Sequence, residues 1–221
     1  NTKKLAQAVA ERYRISPEEA AEDYRSLVER IQTLIDIPDL DPVTFLDIER
    51  ESPYSGALSA PYRLDCAITY QLPKDSNPNL APTRRVDREL DTKEWIQILY
   101  KAGEAGIPHL IFTGGEATLR DDLVDLIAYA EQKGIVTGLL TSGERLAEKA
   151  YLDELLQTGL DHLMVAVDPR NAKVWTALEL IFPEDIFTTI HLTITSDFAK
   201  GIANIITRLA EMGANALSLS I

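Results

Sequence analysis

Apolar positions follow two different rhythms along this chain. From Leu5 to Leu34 they recur every three or four residues: Leu5, Ala8, Val9 and Tyr13, then Ala20, Tyr24, Leu27, Val28, Ile31 and Leu34. That spacing predicts two amphipathic helices. Ser16-Pro17-Glu18-Glu19 opens the second, with Ser16 as cap, Pro17 at the first helical position and Glu19 placed to reach back as in a capping box. The apolar stripe reads as core or docking surface. From Asp36 to Pro61 the rhythm stops, and Pro38, Pro42, Pro53 and Pro61 punctuate an acid-rich stretch. It reads as an extended linker, so the expected organisation is a helical segment over 1–35, a linker over 36–61 and a main domain over 62–221.

Beyond Arg63 short apolar runs alternate with helical ones. Strand-like runs are Leu64–Tyr70, His109–Phe112, Val136–Leu140, His162–Val167, Thr188–Ile194 and Ala216–Ile221. Helical runs lie near Thr92–Ala105, Leu119–Lys133, Arg145–Thr158, Val174–Leu180 and Phe198–Met212, with Asp91 or Thr92 capping the first. Gly106, Gly134, Gly159 and Gly213 sit where helices should stop. Such alternation predicts an α/β fold of parallel strands joined by right-handed crossovers, either a partial barrel or an open doubly wound sheet. No Gly-x-Gly-x-x-Gly follows the first strand, which weakens a dinucleotide-binding reading.

Composition narrows the function. Of 221 residues, 45% are hydrophobic and 26% charged, so a large core is available and disorder is not the dominant state. The net charge of −13 argues against tracking nucleic-acid phosphates. No apolar run reaches the about 18 residues of a membrane span. A single cysteine, Cys66, rules out an intrachain disulfide framework and points weakly to the cytoplasm. Asn1 is not a start methionine and Ile221 closes an apolar stretch abruptly, so the chain reads as part of something longer.

In parallel α/β folds chemistry gathers at the C-terminal ends of the strands. Those ends read Thr69-Tyr70-Gln71, Thr113-Gly114-Gly115-Glu116, Thr141-Ser142-Gly143, Asp168-Pro169-Arg170, Thr193-Ile194-Thr195 and Ser218-Leu219-Ser220. Thr113 to Glu116 is the sharpest of them. Two glycines after a buried strand leave backbone groups open to a ligand, and a rim carboxylate directly after them can grip an ammonium. A tight turn ending in a capping acid is the competing reading.

The run Phe112-Thr113-Gly114-Gly115-Glu116-Ala117-Thr118-Leu119-Arg120-Asp121-Asp122-Leu123 resembles the second strand–helix unit of the radical S-adenosylmethionine (radical SAM) enzymes, usually worded Thr-Gly-Gly-Glu-Pro. Gly138 to Gly143 resembles that family's third strand, Leu64–Thr69 its first and Val165–Asp168 its fourth. The helices before Leu34 resemble part of the small peptide-binding domain of pyrroloquinoline quinone biosynthesis. The resemblance implies a partial (β/α)6 TIM-like barrel, preceded by a small helical segment, that binds S-adenosylmethionine. Thr113, Gly114, Gly115 and Glu116 would hold the methionine end, beside Thr141 and Ser142. Asp168 and Thr195 would approach the ribose. It also implies reductive cleavage at a [4Fe–4S] cluster, with an electron donor and a peptide or small-molecule substrate. Ala117 departs from the usual proline.

The larger departure is after Thr69. The family places three cluster-binding cysteines there, and this chain has Tyr70-Gln71-Leu72-Pro73-Lys74 instead. One thiolate cannot hold a cubane, and Cys66, inside the strand, reads as a small buried hydrophobe. Two readings stand: an enzyme whose cysteine loop is absent from this sequence, or a cluster-less relative that only binds. A phosphate-binding barrel such as an aldolase would need a lysine at a strand end, and none is there. His109, His162 and His191 fall on three strands. His109 and His162 should lie at the N-terminal face and His191 mid-strand, which argues against a three-histidine metal site. Arg84, Arg85 and Arg88 read as a solvated basic loop.

Overall fold

The computed structural model describes residues 2–47, 60–74, 87–196 and 199–220. Phe198, Ile221 and the pair Arg84–Arg85 lie outside the described residues. The chain divides into two compact units, Asn1–Ala57 and Leu58–Ile221.

The first unit contains helices α1 (Thr2–Tyr13), α2 (Pro17–Asp36) and α3 (Pro42–Leu46). Ser16 caps α2, accepting from Glu19 N at 3.0 Å, with Pro17 following. α3 falls inside the stretch read as linker. Asp41 accepts from Thr44 N and Pro42 occupies the first turn, so capping chemistry makes a short helix where proline content alone suggested extended chain. Ala6, Ala10 and Ala20 form the buried contact between α1 and α2, with Val9, Ile15 and Ala21 against it. The larger stripe of α2 is not the packed face: Tyr24, Leu27, Val28 and Ile31 are exposed.

The second unit runs β1 (Arg63–Thr69), α4 (Thr92–Glu104), β2 (His109–Gly114), α5 (Leu123–Gln132), β3 (Val136–Thr141), α6 (Lys149–Leu156), β4 (His162–Ala166), α7 (Ala172–Ile181), β5 (Phe187–Thr193), α8 (Ile202–Met212) and β6 (Ala216–Ser220). The strands form one parallel sheet in the order β1-β2-β3-β4-β5-β6. That order never reverses. It therefore has no switch point of the doubly wound kind, and successive crossovers stay on one face, as in a partial barrel.

Period-two alternation divides the strands accordingly. Cys66, Ile68, Leu110, Phe112, Leu139, Leu163, Val165, Ile190 and Leu192 join Leu99, Leu126, Ile127, Leu152, Leu155, Leu178 and Ile181 of the helices in one buried cluster. Each fully buried leucine or isoleucine there contributes about 1.5–3 kcal/mol. The other face carries Asp65, Ala67, Ile111, Leu140, Met164, Ala166 and His191, all exposed or half-buried. No helix among the described residues is long and apolar enough to cross a membrane.

Three helices start later than their periodicity predicts, α8 following a 3-10 turn over Ala199–Gly201. A short 3-10 turn covers Ala117–Leu119 before α5, and another covers Glu144–Ala147 before α6. Arg120 is extended, with φ −79° and ψ 131°, and breaks the first run. Its guanidinium donates to the Ile68 and Leu90 carbonyls at 2.9 and 3.0 Å and to both oxygens of Asp122.

Candidate functional site

The Gly-Gly pair is shaped by its neighbour strand. Gly114 has φ +141°, and a Cβ built on it would lie 2.3 Å from Thr69 O. A Cβ on Gly115 would lie 2.0 Å from Gln71 O. Gly115 N donates to Thr69 O at 2.8 Å and Glu116 N to Gln71 O at 2.7 Å. Both glycines are thus accounted for by the close approach of β1's continuation, and these two amides are taken by it.

Glu116 is not the rim carboxylate that its place in the sequence suggests. It is 3% exposed. Its Oε1 accepts from Thr118 N at 3.2 Å, Thr118 Oγ1 at 2.6 Å and Thr141 Oγ1 at 2.6 Å, and its Oε2 accepts from Ser142 N at 2.7 Å. The carboxylate therefore ties the end of β2 to the end of β3. Thr141 Oγ1 also accepts from Gly143 N at 3.0 Å. Ser142 Oγ is buried and has no hydrogen-bond partner among the described residues.

Four charged residues that sequence reasoning gave no role brace this mouth. Glu89 accepts from Tyr70 N at 2.7 Å and from Thr69 Oγ1 at 3.1 Å, fixing the end of β1. Arg120 and Asp122 tie β1 to the start of α5, and Thr92 Oγ1 donates to Asp122 at 2.6 Å. Arg145 donates to the Thr118 carbonyl and lies 4.0 Å over the Tyr151 ring, whose hydroxyl burial pushes up to about 12. Arg120 stands within the quoted motif, so a signal existed for it. Glu89 and Arg145 carry no local pattern and become visible only in three dimensions.

The remaining candidates stand apart. Asp168 is exposed at the end of β4, where it accepts from Arg170 N, Nε and Nη2 at 2.9–3.0 Å. The Arg170 hydrogen bonds hold its carboxyl below the ordinary range. Thr195 is exposed just beyond β5. Among the described residues neither bonds to the Glu116 network, so the structure gathers Thr113 to Glu116 with Thr141 and Ser142 and leaves the other two separate.

Cys66 points into the helix-covered core, 3% exposed, and burial, followed by the neighbouring Asp65, pushes its thiol up to about 12. No three His, Cys, Asp or Glu side chains among the described residues are grouped to hold a metal ion. Residues 75–86 contain neither cysteine nor histidine. These donors do not fit an iron–sulfur cubane, which takes deprotonated thiolates. For S-adenosylmethionine the fit is better: the mouth holds a buried unpartnered hydroxyl, Ser142 Oγ, next to a fixed negative charge.

A single parallel sheet in sequential strand order, with a braced polar mouth at the C-terminal strand ends, defines the class as an α/β partial barrel. Residues 66–192 match the Radical SAM superfamily, and the chain belongs to it. A PqqA peptide cyclase of Granulibacter bethesdensis is 38% identical over 106 residues, which are 47% of this chain and 28% of that protein. A PqqA peptide cyclase of Methylocella silvestris is 37% identical over 101 residues, 46% of this chain and 26% of that protein. The matches thus span little more than a quarter of these curated relatives. The crystal structure of Streptococcus suis SuiB bound to precursor peptide SuiA superposes with a TM-score of 0.61 at 17% identity, covering 92% of this chain and 44% of that one. That likeness is one of fold.

Proposed function

We propose that the barrel binds S-adenosylmethionine at the mouth formed by the ends of β2 to β5, in the service of an enzyme acting on a peptide. The observation that carries the binding site is the buried, unpartnered Ser142 hydroxyl set beside the Glu116 carboxylate. Ser142 and the backbone of Thr113, Gly114 and Gly115 would meet the methionine end. Glu116 acts on them as a positioning residue, fixing the Ser142 amide and supplying local negative charge toward an ammonium. Asp168 and Thr195 would meet the ribose. S-adenosylmethionine supplies a sulfonium whose carbon–sulfur bonds can be broken. Peptide as substrate is supported by the names of the cyclase relatives and by a helical unit before the barrel.

Titration calorimetry with S-adenosylmethionine tests the site. Wild type should bind, and Ser142→Ala should bind about two- to tenfold more weakly, the worth of one hydrogen bond, with its melting temperature unchanged. Equal affinity in the two would remove Ser142 from the site.

A second reading, a binding module without redox chemistry, is favoured by Cys66, the one cysteine and a buried one. Anaerobic reconstitution with iron and sulfide separates the two. A cluster-bearing enzyme takes up about four irons per chain, whereas a binding module takes up none in cubane form.

A further inference from the structure

His109 and His162 lie at the N-terminal ends of β2 and β4, the opposite end of the sheet from the polar mouth. β3 separates their strands, and the residue lying between them is Gly138: it pairs with Ile111 on one side and His162 on the other. A Cβ at 138 would fall 2.2 Å from His162 Nε2 and 2.5 Å from its Cε1. The missing side chain is thus the gap through which two histidines on non-adjacent strands meet. Their Nε2 atoms are 3.3 Å apart and their ring centroids 4.9 Å apart, with the ring planes tilted by 49°.

Those distances carry chemistry. The centroids are only 4.9 − 3.3 = 1.6 Å farther apart than the nitrogens, less than the two ring radii that an end-on alignment would add. The rings are therefore not aligned end to end. Two imidazole nitrogens on one tetrahedral zinc, each about 2.0–2.1 Å from the metal, stand about 3.3 Å apart. Both rings are half-buried on the face of the sheet opposite its helix-packed core, so an ion can reach them. Of the charged groups that face His162, Arg63 pairs with Asp65 at 2.8 Å, and Asp161 accepts from Thr137 N at 2.7 Å.

We propose that His109 and His162 form a two-imidazole site for a late first-row divalent ion of the zinc class, with the remaining coordination positions open to water or a small ligand. Imidazole nitrogen is the ligand type that this class of ion prefers. Without metal, one Nε2–H donates to the other Nε2; when the ion binds, the donor ring takes the tautomer with its proton on Nδ1, so both neutral imidazoles present an Nε2 lone pair to the ion. The site is distinct from the mouth and does not depend on S-adenosylmethionine binding.

Titration of the full chain with Zn2+ tests it, followed by calorimetry. Wild type should take up one ion per chain in a saturable step. His109→Ala and His162→Ala should each weaken that step by at least about tenfold, and His191→Ala, which removes the third histidine, should leave it intact. Gly138→Ala should abolish it while keeping both imidazoles; if that variant does not fold, the two single histidine variants carry the test. Electron paramagnetic resonance of the Cu2+ form should count two imidazole nitrogens. No saturable uptake by wild type, or uptake unchanged in either histidine variant, would overturn the site and leave the pair as a plain hydrogen bond.

Discussion

Four hydrogen bonds converge on the Glu116 carboxylate, two of them from the next strand's end. Removing it leaves the buried Thr141 hydroxyl and the part-buried Ser142 amide without their acceptor; an unpaired buried donor costs about 1–3 kcal/mol. Glu116→Ala should lower stability by about 2–4 kcal/mol, read as a shift of the urea midpoint, and should weaken S-adenosylmethionine binding as a consequence of a loosened mouth. Glu116→Gln keeps the acceptor oxygen and should recover part of the stability. A midpoint unmoved in Glu116→Ala would mean that the network contributes nothing to the fold. The same residue at an open rim would have behaved in the opposite way, losing affinity with stability intact.

At the scale of elements, the mouth depends on how β1 is fastened to α4 and α5. Arg120 and Asp122 form the joint, with side chains only 11% and 19% exposed. The Arg120 hydrogen bonds, ahead of the one from Thr92, hold the Asp122 carboxyl below its ordinary value. A carboxyl depressed in the folded state stabilises fully above its unfolded pKa of about 3.9, and the contribution is lost as pH falls through the lower folded value. Asp122→Asn should therefore cost about 1.5–3 kcal/mol near neutral pH, the worth of hydrogen bonds to a charged group. It should also flatten the fall in melting temperature below about pH 4. Thermal melts of both proteins from pH 7 to pH 3 check this; parallel curves would show that the joint does not feel its charge.

For the whole molecule the relevant fact is that the barrel unit carries its own core. Among the described residues, thirty buried side chains between Cys66 and Leu209 form one cluster within the unit that begins at Leu58. Among its described residues the helical unit buries only Ala6, Ala10 and Ala20 as apolar side chains. A chain of residues 58–221 should fold and bind S-adenosylmethionine like the full chain while losing affinity for a peptide partner. Circular dichroism and calorimetry measure the first two, and a peptide pull-down or titration the third. An insoluble or unfolded barrel would instead make the front helices part of its support, and the peptide-binding reading of those helices would fail with it.

Periodicity alone determined most of the fold: six apolar runs, the helices between them and the helix stops at Gly106, Gly134, Gly159 and Gly213, all of which take positive φ. These are local properties, written in each segment's own residues. The motif likewise marked Thr113 to Glu116 and Thr141-Ser142 as one neighbourhood. What the sequence left open was decided by packing. The choice between a barrel and a doubly wound sheet rests on strand order, and order is a property of the assembled sheet. The burial of Glu116 depends on where Thr141 and Ser142 arrive, 25 and 26 residues later. α3 escaped because prolines at a helix start resemble prolines in a linker until the cap at Asp41 is seen to close. The meeting of His109 with His162 needed the parallel register that puts a glycine between them, a coincidence across 53 residues that no window along the chain contains.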